Sequence, residues 1–379
     1  MRDRGDPVKV LYVSPTGFGP GSIVGGGERY ALELARAMAE RADVVLLTFG
    51  ADRASAREGR LRVERLPAGW TARWNPLAAN PLRVRLASLV RWADVVHAHQ
   101  VATFATSAAM VLGRALGRGT FVTDLGGGHP YAPTSYLPIL RGIDAMLLLS
   151  EYSRGLWEGM PRTRRPARID VVYGGIDPSR LTPGTAPKPA GRVLFVGRVL
   201  PHKGVDYLIE AIEPPLCLTV AGRHYLDSYA QRLRALAAGR RVRFLADVSD
   251  EQLVDLYRSA MVTVLPSVYT TSDGARSDVP ELLGLVVLES LACGTPVVVS
   301  EVASLPELVE DGVTGFIVPP NDPAAIRDRL GYLLAHPEEA ARMGETGRAR
   351  VLERFTWDAV ARSCLDAYAA AGPRDREAR

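Results

Sequence analysis

Two carboxylates eight residues apart, Glu281 and Glu289, bracket the apolar run "ELLGLVVLES" in a chain of 379 residues. Eight residues is a little over two helical turns. Glu281 therefore falls at or just before a helix start, with Glu289 two turns deeper on roughly the same side. Gly284 lies between them, and a glycine at the mouth of a buried helix leaves the backbone N–H groups of Gly284, Leu285 and Val286 pointing outward. The helix dipole favours an anion there, and phosphate suits the site. Upstream, "FVGRVLPHKG" sets Arg198 and Lys203 five residues apart in a loop that follows an apolar strand. Breaking a bond to a phosphate leaving group builds negative charge on the departing group. Arginine would meet it with a planar fork and lysine with a point charge. By spacing alone, the same residues also fit a solvated helix edge and solvated loop cations.

A second set of candidates occupies the first half. Gly25, Gly26 and Gly27 stand between an apolar strand and an amphipathic helix with Leu32, Leu34, Ala35 and Met38 on one side. They read either as a tight turn or as a ligand loop, because glycine lets backbone approach an anion closely. The GxGxxG spacing of a dinucleotide enzyme is missing. His97, His99, Asp124, His129, Ser150 and Glu151 fall at the carboxyl ends of apolar strands, where open parallel sheets bind ligands. His97 and His99 equally fit histidines satisfied by their neighbours. Cys217, Cys293 and Cys364 show neither CxxC spacing nor a disulfide framework. With no DxD or similar cluster in a ligand-like context, neither a metal nor a cofactor is expected.

The segments "ADVVLLTF", "ADVVHAHQ", "TFVTDL", "AMLLLS" and "IDVVYGG" alternate with helical stretches, which implies doubly wound α/β architecture with parallel sheets. The length suits two such domains. The stretch from Gly174 to Arg192 is rich in proline and glycine and carries no periodicity, so residues 181–192 are expected to link a first domain, 1–180, to a second, 193–356. A closing helix at 357–372 and a disordered tail at 373–379 complete the reading. The polar loop "YTTSDGARSDVP" before Glu281 reads as a lid or a surface loop.

The flanking text carries a resemblance. "GR", four residues and "KG" (197–204), the two glutamates with "GL" between them, "CGTPVV" from Cys293, and "GGID" at 174–177 resemble the donor-binding signature of retaining glycosyltransferases of family 4. It is strongest over about residues 190–320. It implies the GT-B fold, two Rossmann-like domains facing a central cleft, with the closing helix packed back on the first. As the resemblance implies, Glu281 holds donor-sugar hydroxyls, Glu289 the ribose hydroxyls, and Arg198 with Lys203 the diphosphate. The amides of Gly284, Leu285 and Val286 cradle phosphate, Gly26 and Gly27 lie under the diphosphate, and Val248 borders the base. His99, Asp124, His129 and Glu151 are the acceptor-side candidates. The family's usual histidine after the strand "TFVTDL" is replaced here by Asp124, with His129 five residues on. Either can serve, and His129 joins Arg198, Lys203 and Glu281 in the expected catalytic set.

The implied reaction moves a sugar of glucose, N-acetylglucosamine or mannose type from a nucleotide diphosphate, UDP foremost, to a hydroxyl of a small soluble acceptor such as an aminocyclitol, with retention. Two alternatives stay open: a membrane-associated transferase using GDP-mannose on a lipid or phosphorylated acceptor, and a sugar-nucleotide epimerase or hydrolase of the same fold. Composition agrees with a globular chain, 47% hydrophobic and 23% charged. The net charge of +4 is uneven: residues 1–180 hold 24 basic and 16 acidic side chains, leaving a deficit of four for the rest. No aromatics interleave the basic stretches, which argues against nucleic acid. The opening "MRDRGDPVKVLYVSP" puts charge and proline where a signal peptide needs apolar residues, and no run approaches a membrane span. A cytoplasmic location is expected; membrane association is left open and no oligomeric state is assigned.

Overall fold

The computed structural model describes residues 7–15, 26–68, 84–126, 133–135, 137–278 and 280–371. Two compact units divide the chain: Met1–Gly175 with Trp357–Arg379, and Ile176–Thr356.

The first unit is built on β1 (Lys9–Val13), β2 (Asp43–Gly50), β3 (Ala54–Glu58), β4 (Leu61–Pro67), β5 (Val95–His99), β6 (Gly119–Thr123), β7 (Ala145–Leu148) and β8 (Ile169–Val171). Their order is β3-β4-β2-β1-β5-β6-β7-β8, parallel throughout except for β3 against β4. The sheet is thus wound in both directions from the β1/β5 boundary, as the alternation of strands and helices predicts. The β3–β4 hairpin has no counterpart in the sequence reading. All five residues of β3 are exposed, so it has no apolar run to reveal it, and its arginine and glutamate mark a charged edge strand. Among the described residues, no helix is long and apolar enough to cross a membrane.

The helix Gly26–Ala39 begins inside the glycine triplet, so Gly26 and Gly27 are its first residues rather than turn residues; Gly25 lies outside the described residues. The closing helix, Trp357–Ala370, belongs to this unit. It buries Trp357, Val360, Ala361, Cys364, Ala367 and Tyr368, a stripe at helical spacing. Gly175 is required beside it: a Cβ there would lie 2.7 Å from the Trp357 nitrogen.

The second unit holds β9 (Arg192–Val196), β10 (Cys217–Ala221), β11 (Val242–Leu245), β12 (Val262–Leu265), β13 (Val297–Ser300) and β14 (Gly315–Val318), in the order β11-β10-β9-β12-β13-β14, all parallel. The strand order reverses at β9/β12, which is the switch point of a doubly wound sheet. The stretch expected as a linker packs on this unit. Ile176 N–H donates to Phe355 O (2.8 Å), Leu181 is buried, and Arg258 and Arg348 bind the carbonyls of Thr182 and Leu181.

The helices Leu285–Ala292 and Pro337–Arg354 approach each other through glycines. A Cβ at Gly344 would sit 2.2 Å from the Gly294 carbonyl oxygen, whereas one at Gly347 would sit 2.5 Å from the Leu291 Cδ2, the tip of a flexible side chain. Alanine gains up to about 1 kcal/mol of helix propensity at either place. Backbone overlap outweighs that gain, and overpacking typically costs about 1–3 kcal/mol. Gly344→Ala should therefore lower the thermal midpoint while Gly347→Ala leaves it nearly unchanged, and equal midpoints would show that the two contacts yield alike.

Candidate functional site

At the β9/β12 switch point, β9 runs into Gly197 and Arg198, then a short turn Pro201–Lys203, then the helix Val205–Ala211. The turn ends at Gly204 with φ +66°, and a Cβ there would fall 2.0 Å from the Pro266 carbonyl oxygen just past β12. Val268 N–H donates to His202 O (2.9 Å). The two loops that follow neighbouring strands are thus locked together, and only glycine allows the approach.

That lock fixes Lys203. Its Nζ donates to Glu281 Oε2 (2.8 Å) and to Pro280 O (3.0 Å), with each charged side chain only 14% exposed. The other carboxylate oxygen, Oε1, accepts the Gly284 N–H at 3.3 Å. Burial pushes the Glu281 carboxyl up, but the Lys203 charge and hydrogen bond, with the N–H groups of Gly284 and Leu283, outweigh burial and hold it below the ordinary value. Beside it His202 is lowered to about 4 by burial and by the Lys203 and Arg198 charges, so it is neutral at neutral pH. Arg198 is exposed, and its side chain has no hydrogen-bond or ion-pair partner among the described residues.

The helix Leu285–Ala292 starts at Gly284 with φ +57°, and a Cβ there would strike Leu308 Cδ1 at 2.4 Å. The Gly284 amide, expected in a phosphate cradle, donates instead to Glu281. The N–H groups of Leu285 and Val286 have no acceptor among the described residues, as the first turn of a helix leaves them. Glu289 lies deeper: it is buried, and Tyr257 Oη donates to its Oε2 at 2.8 Å. Val248 is half-buried and directly precedes Ser249, whose hydroxyl and Gln252 form a capping box on the helix Asp250–Ser259.

Two residues absent from the sequence reading support this arrangement. Asp206 is buried and accepts from the Tyr229 hydroxyl (2.9 Å) and from Ser272, with Arg232 at 3.7 Å. Ser272 belongs to the polar stretch before Glu281, which is an ordered hairpin: Thr270 bridges Arg276, and Ser277 N–H donates to Tyr269 O (2.7 Å). An acid directly after "KGV" reads as an ordinary first-turn helix residue, and Tyr257 as a core aromatic, so neither carried a signal.

In the first unit Asp124 follows β6. Its carboxylate accepts from Trp157 Nε1 (3.1 Å) and Gly126 N–H (3.2 Å); burial raises its pKa and these donors, with the Val101 N–H, offset part of the rise. Gln100, just past β5, has φ +74° and its side-chain amide binds the Gly126 carbonyl. Ser150 caps the helix Glu151–Glu158, where Glu151 is exposed and pairs with Arg154. His129 lies outside the described residues. His99, an acceptor-side candidate, is wholly buried among Tyr12, Tyr30 and His97. His97, in the middle of β5, joins the Tyr368 hydroxyl (2.7 Å) and the Thr123 hydroxyl (2.8 Å) and is structural. Among the described residues no group of three or more His, Cys, Asp or Glu could hold a metal ion.

Comparison with known proteins covers both units. The family model for glycosyl transferases group 1 matches residues 183–350, and that for Glycosyltransferase Family 4 matches residues 24–180. A D-inositol 3-phosphate glycosyltransferase of Streptomyces bingchenggensis is 35% identical over 232 residues, 54% of this chain and 48% of that protein. The chain thus spans about half the length of the curated relatives it matches. Among solved structures, a sucrose-phosphate synthase from Thermosynechococcus elongatus superposes with a TM-score of 0.74 at 22% identity, covering 96% of this chain and 98% of that one. Anabaena HepE in complex with UDP-glucose gives 0.69 at 18% identity, covering 96% and 99%. At these identities the two structures establish a shared fold.

The buried His99 has a thermodynamic consequence. Neither of its ring nitrogens has a hydrogen-bond partner among the described residues, and burial lowers its pKa to about 3. The unfolded chain takes up a proton near the ordinary value of 6.5 that the folded chain refuses. Stability is therefore unaffected above about pH 6.5 and falls as the pH drops from there toward 3, by up to about 1.4 kcal/mol per pH unit. His99→Phe keeps the aromatic packing and loses no hydrogen bond. At pH 5 it should be more stable than wild type by about 1–2 kcal/mol, with near equality at pH 7.5. Parallel urea titrations of the two proteins check this, and identical pH dependence would show that His99 does not set the acid limb.

Proposed function

The chain belongs to the group 1 glycosyltransferases of family 4, and from that premise we propose that it transfers a sugar from a UDP-sugar to a hydroxyl of a small soluble acceptor with retention at the anomeric carbon. The observation that carries the reading is the Lys203–Glu281 pair at the switch point, beside a helix N-terminus and the exposed Arg198. Such a site suits a diphosphate whose sugar lies against the carboxylate. As the sugar–phosphate bond breaks, Lys203 and Arg198 would neutralise the charge that grows on the leaving group, and Leu285 and Val286 would supply N–H donors. Glu281 would accept from sugar hydroxyls while keeping Lys203 aimed. Glu289, fixed by Tyr257, would take the ribose hydroxyls. In the proposed same-face displacement the leaving phosphate oxygen takes the acceptor proton, so no covalent nucleophile is needed. The cations stand where a divalent metal would otherwise act, which supports a metal-independent reaction.

HepE, crystallised with UDP-glucose, supports UDP as the carrier, and relatives named for D-inositol 3-phosphate support a compact polyhydroxylated acceptor. On the acceptor side the reading rests on Asp124, held by Trp157 at the end of β6, together with His129. A cytoplasmic setting follows from a soluble donor and acceptor.

UDP at a hundredfold over its dissociation constant should stabilise the protein by about 2.7 kcal/mol, moving the midpoint by several degrees. The shift should be unchanged by EDTA and larger than with GDP, ADP, dTDP or NAD. Lys203→Ala should keep the far-ultraviolet circular dichroism, lose most of the UDP shift, and reduce turnover by about 100-fold or more. A shift with NAD alone would overturn the transferase reading. Product analysis by NMR reads the anomeric configuration and separates transfer from epimerisation or hydrolysis.

A further inference from the structure

A cavity of about 440 Å³ opens at the opposite end of the second sheet from Lys203. Arg192 is the first residue of β9 and Cys217 the first of β10, whereas Arg198 and Lys203 follow the carboxyl end of β9. Four arginines line the cavity: Arg192, Arg240, Arg241 and Arg243. The strand register explains how they meet. Cys217 pairs with Arg192, Thr219 pairs with Arg243, and Leu218 with Val242, which places Arg241 beside Cys217 on the face that Cys217 shares with Thr219. Neighbouring strands lie about 4.8 Å apart, so short neutral side chains on the middle strand are flanked by long guanidinium arms on both sides.

Among the described residues no carboxylate compensates the charge. No aspartate or glutamate lines the cavity, and none of the four arginines has a carboxylate partner among the described residues. Other arginines of this unit do pair: Arg223 with Asp247, Arg327 with Glu213, Arg350 with Glu310. Two of the four are braced by backbone instead, Arg240 on Leu236 O (2.8 Å) and Arg241 on Pro215 O (3.5 Å), which leaves the rest of each fork for a ligand. Planar guanidinium forks match phosphate oxygens in pairs, and the Thr219 hydroxyl adds a neutral donor.

We propose that this cavity is a binding site for a small, multiply charged phosphate-bearing anion, separate from the diphosphate site at Lys203. Its volume admits a phosphorylated small molecule. A phosphorylated lipid headgroup shares that chemistry, and the two sources are separable by experiment.

Pyrophosphate is the probe, titrated calorimetrically into the full chain at ionic strength held constant with KCl. Lys203→Ala removes competition from the proposed donor site. In that background pyrophosphate should still bind, and Arg241→Gln with Arg243→Gln should weaken it at least about tenfold. Arg192→Gln, on the opposite flank, should weaken it as well. All these arginines are exposed, so the fold survives their replacement, and the same arginine substitutions made with Lys203 intact confirm it by retaining the UDP-induced thermal shift. Flotation with phosphatidylcholine vesicles, with and without phosphatidic acid, tests the headgroup: flotation that needs the arginines, without pyrophosphate binding, assigns the site to a lipid. The proposal is overturned if neither pyrophosphate binding nor flotation responds to the arginine substitutions. Loss of the UDP shift in wild type would instead count against the donor reading and leave this cavity's assignment standing.

Discussion

Withdrawing an ammonium and a carboxylate from water costs both partners their hydration, and their mutual attraction seldom returns much more than that. The Lys203–Glu281 pair, nearly buried on both sides, is therefore a poor device for stability. What it achieves is position. One carboxylate oxygen binds the lysine and the other the Gly284 amide, so a side chain from the loop after β9 and the mouth of a helix after β12 are held to one group. Remove either charge and the remaining one is left in a half-dry crevice.

The backbone around the pair is built to the same end. Gly204 meets the Pro266 carbonyl at positive φ, where any side chain would force the loops apart, and Gly284 starts its helix at φ +57°, a conformation that strains a residue with a side chain. Asp206 extends the support: its carboxylate, satisfied by Tyr229 and Ser272, anchors the hairpin that leads into Pro280 and Glu281. The first unit shows a counterpart at the ends of its own strands. There Gln100 takes a left-handed conformation that costs a residue with a side chain of order 1 kcal/mol or more. It is held by its N–H on Thr123 O (2.7 Å) and by Thr106 on its carbonyl (2.6 Å).

Much of this was legible in the sequence because buried parallel strands are short apolar runs, and β1, β2, β5, β6 and β7 are such runs. Arg198, Lys203, Glu281 and Glu289 stood out for a different reason: spacing alone also fitted solvated side chains, and it was the flanking "KG", "GL" and "CGTPVV" that carried the resemblance. Three things were hidden. The β3–β4 hairpin is polar and exposed, so nothing periodic marks it. The hold of residues 176–192 on the second unit depends on carbonyl–arginine contacts, and proline and glycine content says only that the segment is irregular. His99 alternates with His97 on a strand whose ends look polar, yet both rings turn into an aromatic cluster, because burial follows from packing partners far away in sequence.

Those partners explain where the closing helix belongs. Tyr368, near its end, meets His97 through its hydroxyl at 2.7 Å and packs on Phe121 with ring centroids 4.7 Å apart, and Tyr30 meets Trp357 edge-on at 5.2 Å. His97 in turn reaches Thr123 through its other nitrogen, so a polar chain runs from the helix through β5 to the last residue of β6. Asp124 is the next residue. A histidine kept neutral by burial can serve both hydroxyls at once, donating with one nitrogen and accepting with the other; a charged one could only donate. The neutrality that makes the cluster sensitive to acid is thus the same property that lets it tie the last helix to the strand carrying Asp124.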